Sequence, residues 1–436
     1  MREIIRQKIV DGVTTQPPWY TRRDIRIPRV PGKAYAVIGM RRTGKTTFLW
    51  QILDEKLKKG VPRESLVYFS FEDERLADIK VSDLYLIVEE YYNLYPEWRD
   101  KEVVTFFFDE IQVVSDWELF LRRVLDTELV DLFISGSSAK LLSREIASSM
   151  RGRAMEIVVY PFSFREYLRH SGHERTESLD RAPKAVRSII EKDLRDYLLK
   201  GGFPETLGLD HQDRTELLQN YVDVVLLRDV IERHGVTQPV VLRWLLRQLL
   251  RNSASFFSIH KFYNDLRSQG FRVSKDTLHS YLSYLQDAFL IDVIEIAAYS
   301  GRKQMVNPRK VYPIDMGLIP IFDVTGKKNI GHALETAVFR ELKRRKAKIN
   351  YVRVPRSLEV DFLAIYPDRR SKLIQVCADV SEQAVLKREL RSLLKAHESY
   401  PEASLNLITL TVPPKIDVPS SVHVHAASTW LLSSKY

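Results

Sequence analysis

The sequence has 436 residues, 44% of them hydrophobic and 28% charged, which is ordinary globular material for roughly two to four domains. Sixty-seven Lys and Arg against 57 Asp and Glu leave a formal charge of +10, which favours nucleic acid or an anionic surface as a partner. The single cysteine, Cys377, excludes an intrachain disulfide and a Cys-based zinc site. Met1 to Lys8 lacks the apolar core of a signal peptide, and no stretch approaches bilayer length, so the expectation is a soluble, cytoplasmic protein with no membrane partner.

Residues 1–33 read as a basic preamble. Pro17-Pro18-Trp19-Tyr20 and Pro28-Arg29-Val30-Pro31-Gly32 punctuate it as extended or turn structure. Arg22, Arg23, Arg26 and Arg29 read as a solvated face, with phosphate contact the alternative, and Trp19 and Tyr20 are candidates to pack on a nucleotide base. Next comes the apolar run Ala34 to Ile38, a buried strand, followed by Gly39-Met40-Arg41-Arg42-Thr43-Gly44-Lys45-Thr46 and a helix opening at Thr47. Strand, glycine-containing loop and helix are the context in which this spacing binds phosphate. The loop N–H groups and the helix N-terminus face an anion. Gly39, Arg41, Arg42, Thr43, Gly44, Lys45, Thr46 and Thr47 form the nucleotide-binding set. Lys45 reaches the β- and γ-phosphates, and the Thr46 hydroxyl is a Mg²⁺ ligand.

Ser65 to Phe71 reads as a strand with Glu72-Asp73 at its carboxyl end, and residues 80–95 as helical. Val103 to Phe108 then runs into Asp109-Glu110. Apolar β-formers ending in two carboxylates describe a Walker B strand: Asp109 orients Mg²⁺, and Glu110 polarises the attacking water. Trp117 to Leu129 is an amphipathic helix, and Asp131 to Ser138 a strand ending in small polar residues. There Ser137 or Ser138 would sense the γ-phosphate; a plain helix cap is the competing reading. Arg144, Arg151 and Arg153 follow. Arg153 is the candidate to stabilise the transferring phosphoryl group, from a second copy of the chain, and a surface arginine is the alternative. Ile157 to Tyr160 would be the last strand of the sheet.

The phosphate loop, Phe108-Asp109-Glu110-Ile111-Gln112, Ile134-Ser135-Gly136-Ser137-Ser138-Ala139, Gly152-Arg153, Tyr160 to Tyr167 and Gly201-Gly202-Phe203-Pro204-Glu205 occur in that order. Together they resemble the AAA+ superfamily ATPases of archaea and bacteria that join an AAA-type module to a C-terminal domain of undefined role. The resemblance implies an α/β P-loop fold with a parallel sheet, then a winged helix and a restriction-endonuclease-like α/β domain. On that scheme residues 34–163 are the ATPase domain, 164–238 a helical lid, 239–328 the winged helix and 329–436 the nuclease-like domain.

Phe164 to His170, Ala185 to Lys200 and Thr215 to Arg233 read as the lid helices, with Arg228 a candidate second sensor. Val240 to Asn252, Ser258 to Leu266 and Ser274 to Leu285 would be the helices of the winged helix. Leu278, Tyr281, Leu282 and Leu285 share one face of the third. Lys275, Thr277 and His279 are left to meet DNA, with Arg302 and Lys303 at the tip of a β-wing. A protein-binding winged helix is the alternative.

In the C-terminal region a helix from Leu334 and strands at 349–354, 358–365 and 372–377 are expected, then a helix from Ala384 and a closing strand at 404–412. The nuclease resemblance implies Glu335 and Asp361 as metal ligands. Gln375 and Cys377 stand where a glutamate and a lysine belong, so a carboxylate and a cation are both missing and cleavage is not expected. Glu359 and Asp379 are weak substitutes. The reading is an ATP- and Mg²⁺-dependent ATPase, binding ATP and ADP, acting on or near DNA and self-associating. The alternatives are an NTP-gated scaffold switch that binds protein, and an ATP-dependent nuclease.

Overall fold

A computed structural model describes all residues except 29, 137–149, 151, 176–178, 299–307, 323–328, 355–357 and 434–436. The chain divides into two units, Met1–Tyr160 and Pro161–Tyr436.

The first unit is built on five strands: β1 (Ala34–Ile38), β2 (Leu66–Ser70), β3 (Val104–Asp109), β4 (Val130–Gly136) and β5 (Ala154–Val158). All are parallel, in the order β2-β3-β4-β1-β5. β1 and β3 are buried along their whole length, which is why their sequences are continuous apolar runs rather than alternating ones. The helices are α1 (Arg2–Thr14), α2 (Lys45–Leu57), α3 (Tyr85–Leu94) and α4 (Trp117–Thr127).

The preamble is therefore not extended throughout. Ile5, Ile9 and Val13 fall at helical spacing on the buried face of α1, which packs on α3 and β2. Arg63 donates to the carbonyls of Gly12 (2.7 Å) and Thr15 (2.8 Å), satisfying acceptors at the end of α1. Residues 15–28 and 30–33 have the extended and turn character expected of them. Arg23, however, is only 4% exposed and belongs to the interior rather than to a solvated face.

The second unit opens with α5 (Phe164–His170), α6 (Lys184–Lys200) and α7 (His211–Val224). The single helix expected across 215–233 instead changes hydrogen-bond register into a π-helical stretch, Val225–Glu232. Arg228 sits there, paired with Glu232 at 3.0 Å. Then come α8 (Pro239–Arg251), β6 (Phe256–Phe257), α9 (Ile259–Ser268), α10 (Lys275–Asp287), β7 (Ile291–Ile294) and β8 (Arg309–Pro313). The three strands form an antiparallel sheet in the order β6-β8-β7. Ser258 and Ser274 cap α9 and α10, each accepting a backbone N–H three residues on. Leu278, Tyr281, Leu282 and Leu285 are buried on one face of α10, as their spacing requires.

The C-terminal part comprises α11 (Ile330–Arg344), β9 (Lys348–Val354), β10 (Leu358–Ile365), β11 (Ser371–Val376), α12 (Gln383–His397), β12 (Ser404–Thr409), β13 (Val422–Ala426) and α13 (Ala427–Leu432). β13 and α13 go beyond the sequence reading, which closed the domain at one strand. The sheet order is β13-β12-β11-β10-β9: antiparallel from β9 to β11 and parallel from β11 to β13. Phe164, Tyr167, Leu194 and Tyr197 of α5 and α6 share one core with Leu334, Val338 and Phe339 of α11 and with Trp430 of α13. The first helices of the unit and its C-terminal sheet are thus one hydrophobic body.

Candidate nucleotide site

The site forms at the carboxyl ends of β1, β3 and β4. Gly39 leaves β1 at φ +152°, and a Cβ there would lie 2.3 Å from the Val159 carbonyl oxygen, so only glycine lets the loop start this close to the end of β5. Within the loop the Thr43 hydroxyl donates to the Met40 carbonyl at 2.9 Å, and Lys45 Nζ donates to the same carbonyl at 3.1 Å. Lys45 is buried, whereas Thr46 and Thr47 at the head of α2 are exposed. Arg41 is half-buried, and Arg42 is exposed in a left-handed conformation, φ 66°. Arg23 braces the loop from outside. One guanidinium nitrogen donates to the Thr43 carbonyl at 2.9 Å and the other to the Tyr160 carbonyl, while its backbone exchanges two hydrogen bonds with the Gln51 side chain.

Asp109 ends β3 and is 3% exposed, which demands partners for its charge. Three hydroxyls supply them: Thr46 at 2.9 Å and Tyr68 at 2.6 Å on Oδ2, and Ser135 on Oδ1. β4 lies between β1 and β3, so Ser135 on β4 bridges the two motifs. Its Oγ also accepts the Glu110 N–H at 3.1 Å. Glu110 follows in the left-handed region, φ 56°, and its carboxylate accepts from Gln112. A left-handed glutamate is strained by about 1 kcal/mol, so the surrounding contacts must hold it there. The Tyr68 ring is clamped against Trp50 at 4.3 Å, and burial first, then Asp109, raises its hydroxyl well above the usual phenol range.

Glu72 lies in the same electrostatic neighbourhood. Burial, then Glu110 and Asp109, raise its carboxyl, while Arg41 and Arg42 oppose the rise. Asp73 next to it is structural: it caps a short turn through the Arg75 N–H and pairs with Lys8 of α1 at 2.7 Å. Tyr20 is anchored by its hydroxyl to Asp54 of α2, and Trp19 stands 81% exposed beside it.

The expected loop residues and Asp109-Glu110 thus converge on one place. Ser137 and Ser138 lie outside the described residues, as do Arg144, Arg151, Arg302 and Lys303. Sequence reasoning quoted Ser135 and Gln112 within motifs without giving them a role, and passed over Tyr68. Arg153 pairs with Asp126 of α4 and approaches the Arg122 carbonyl at 3.5 Å.

The comparisons with known proteins follow this geometry. Residues 31–168 match the family model of an AAA domain, and residues 191–328 match a domain of unknown function, DUF8612. The chain is 34% identical over 394 residues to the uncharacterized protein MJ1544 of Methanocaldococcus jannaschii, covering 89% of this chain and 84% of that one. It belongs to the same family as MJ1544. An uncharacterized protein of Haemophilus influenzae is 29% identical over 367 residues, covering 84% of this chain and 86% of its own length. Among solved structures, a Walker-type ATPase of Pyrococcus abyssi is similar with a TM-score of 0.41 and 15% identity, over 74% of this chain and 95% of that one. For this member of the MJ1544 family the AAA match coincides with the parallel sheet and its phosphate loop, so the first unit has an AAA-type P-loop ATPase fold.

In the second unit Lys275 and His279 are exposed on α10 and Thr277 is half-exposed beside its cap. The Glu335 and Asp361 side chains do come together, around a cation that comes from outside the expected motif. Lys310 of β8 bonds Asp361 at 2.8 Å and Glu335 at 3.0 Å, and lies 3.3 Å from Glu359. Gln375 replaces a ligand with an amide: it accepts the Asp361 N–H at 3.3 Å and donates to Glu389 of α12 at 2.7 Å. Cys377 donates to the Asp379 carbonyl, and burial pushes its thiol up to about 11. Asp379 accepts the Ser381 N–H and so serves a turn. Among the described residues no group of three or more His, Cys, Asp and Glu is arranged to hold a metal ion. Among the same residues no helix is long and apolar enough to cross a membrane.

Proposed function

We propose that the protein is a Mg²⁺-dependent ATPase whose turnover acts on or near DNA, through residues 34–163 as the catalytic domain, 164–238 as a lid and 239–328 as a winged helix. The observation that carries the catalytic half is the 2.9 Å contact between Thr46 Oγ1 and Asp109 Oδ2. A hydroxyl and a buried carboxylate brought together at the mouth of a phosphate loop are the hard oxygen donors Mg²⁺ takes, so the residues fit the ion. Bound there with ATP, Mg²⁺ would neutralise charge on the β- and γ-phosphates.

The chain's own groups then divide the work. The 39–44 loop and the head of α2 offer N–H groups to the phosphates. Lys45 exchanges its bond to the Met40 carbonyl for phosphate oxygens. Glu110 accepts a proton from the attacking water, and Gln112 holds the carboxylate in place for it. Ser137 is the candidate sensor, and Arg153 acts across a subunit boundary in a self-associated form. Lys45→Ala should lower turnover at least about 100-fold, and Glu110→Gln should do the same while leaving ATP bound. Unchanged phosphate release in either variant would remove the site assignment.

The DNA half rests on α9 and α10. Arg267 and Lys275 flank the Tyr263 ring at 6.0 and 5.2 Å, gathering positive charge from both helices, and His260, Lys261, Arg272 and His279 are exposed around them. Arg302 and Lys303 remain further candidates for DNA contact from the sequence. Binding should weaken steeply with salt, and duplex DNA should raise the ATPase rate. A second reading, an NTP-gated switch that binds protein, is favoured by apolar exposure on the same module. Val240 is 64% and Trp244 38% exposed on α8. Failure to bind DNA even at low salt selects that reading.

A further inference from the structure

We propose that Lys310 is the resident cation of the C-terminal carboxylate cluster: a covalently attached ammonium seated where a divalent ion would otherwise be needed. The inference goes beyond the ATPase reading and does not depend on it.

The Lys310 side chain is 2% exposed, although it belongs to β8 and not to the sheet that carries the acids. Its ammonium donates to Glu335 of α11 and Asp361 of β10 and lies within ion-pair distance of Glu359 of β10. An ammonium has donors and no acceptor, so it can serve these acids only as their cation. The acids are otherwise occupied as well. The Tyr312 hydroxyl donates to Glu335 Oε1 at 2.8 Å, and the Val376 N–H donates to Asp361 Oδ2 at 2.9 Å. The Phe256 ring shields the ammonium at 5.7 Å, and Arg353 covers the same ring at 4.7 Å.

Converging carboxyl groups repel one another as they ionise, and burying the ionised ones is costly without a cation beside them. A divalent ion supplies that charge reversibly, whereas Lys310 supplies it permanently and from another sheet. The cluster therefore joins β8 to β10 and α11 instead of serving a hydrolytic metal. Neighbouring bonds run the same way: Arg340 of α11 holds Asp292 of β7 and the Pro313 carbonyl, and Tyr351 of β9 exchanges backbone bonds with Glu295 and Ala297. The strands of the 256–313 sheet and the C-terminal sheet are tied into one body with the ammonium at its centre.

The test uses Mn²⁺ and the full-length chain. Equilibrium dialysis of wild type and Asp361→Asn should give the same Mn²⁺ stoichiometry, because the cluster takes none. A site present in wild type and lost in Asp361→Asn would overturn the proposal. Lys310→Met removes the ammonium and keeps the bulk. Its unfolding midpoint should rise by several degrees on adding millimolar Mn²⁺, or its solubility should come to depend on Mn²⁺, while wild type responds to neither. A Lys310→Met variant that behaves like wild type towards Mn²⁺ would equally overturn it.

Discussion

Asp109 and Asp361 are the same residue type, each buried on a strand, yet their charges are accommodated by different means. Asp109 is surrounded by the hydroxyls of Thr46, Tyr68 and Ser135, which donate or accept as needed and can rotate away. Asp361 is held by an ammonium that can only donate, cannot leave and carries the compensating charge itself. On the proposed function, the first arrangement would leave a place for a mobile cation and so for a catalytic cycle. The second closes that place and turns the same chemistry into a fastening between two sheets.

Substitution of the two aspartates' partners should separate these roles. Lys310→Met leaves the cluster's ionised carboxylates without their cation and should cost about 3–5 kcal/mol, read by denaturant unfolding. Asp109→Asn should abolish turnover but cost no more than about 1 kcal/mol, because hydroxyls can re-pair with an amide. Equal stability losses in the two would erase the distinction. The next effect is one of pH. Burial, then Asp361, raises the Glu335 carboxyl to about 8 from its ordinary 4.5. The folded state thus holds a proton that the unfolded chain has released, so this group's contribution to stability falls as pH rises from about 4.5 to about 8. Glu335→Gln should flatten the midpoint's dependence over that range, and an unaltered slope would show that the carboxyl titrates elsewhere. The smallest effect belongs to Tyr68→Phe. It removes one donor to Asp109 and should cost about 1 kcal/mol, with Mg²⁺ dependence of the ATPase shifted by about fivefold.

The phosphate loop and the Asp109-Glu110 pair were legible in the sequence because spacing and flanking apolar strands constrain both. Ser135 and Tyr68 were not, since a hydroxyl within a strand has no spacing signature. They matter only because β4 lies beside β3 and β2 beside β3 on its other side. The C-terminal strands up to β12 followed from runs of β-formers, whereas β13 is hidden behind the Pro413 to Pro419 stretch. Lys310 was invisible for a related reason. In Arg309-Lys310-Val311-Tyr312 the lysine reads as an ordinary exposed strand residue, and its acids lie in other elements at 335, 359 and 361. α1 was overlooked because the prolines after it dominated the reading of the preamble, although Ile5, Ile9 and Val13 carry the helical interval.

α1 has a further consequence. β2 is the outermost strand of the first sheet, and Gly12 lies so close to it that a Cβ would stand 1.9 Å from the Tyr68 carbonyl oxygen. Open strand edges recruit other chains, and proteins protect them by covering them. The first fourteen residues are thus a cover for an adhesive border as well as a helix. A chain trimmed to Ala34, the first residue of the sheet, would keep the phosphate loop and Asp109-Glu110, lose the Arg23 brace, and bare the strand that carries Tyr68. Such a fragment would fail first by sticking to itself, long before its chemistry could be measured.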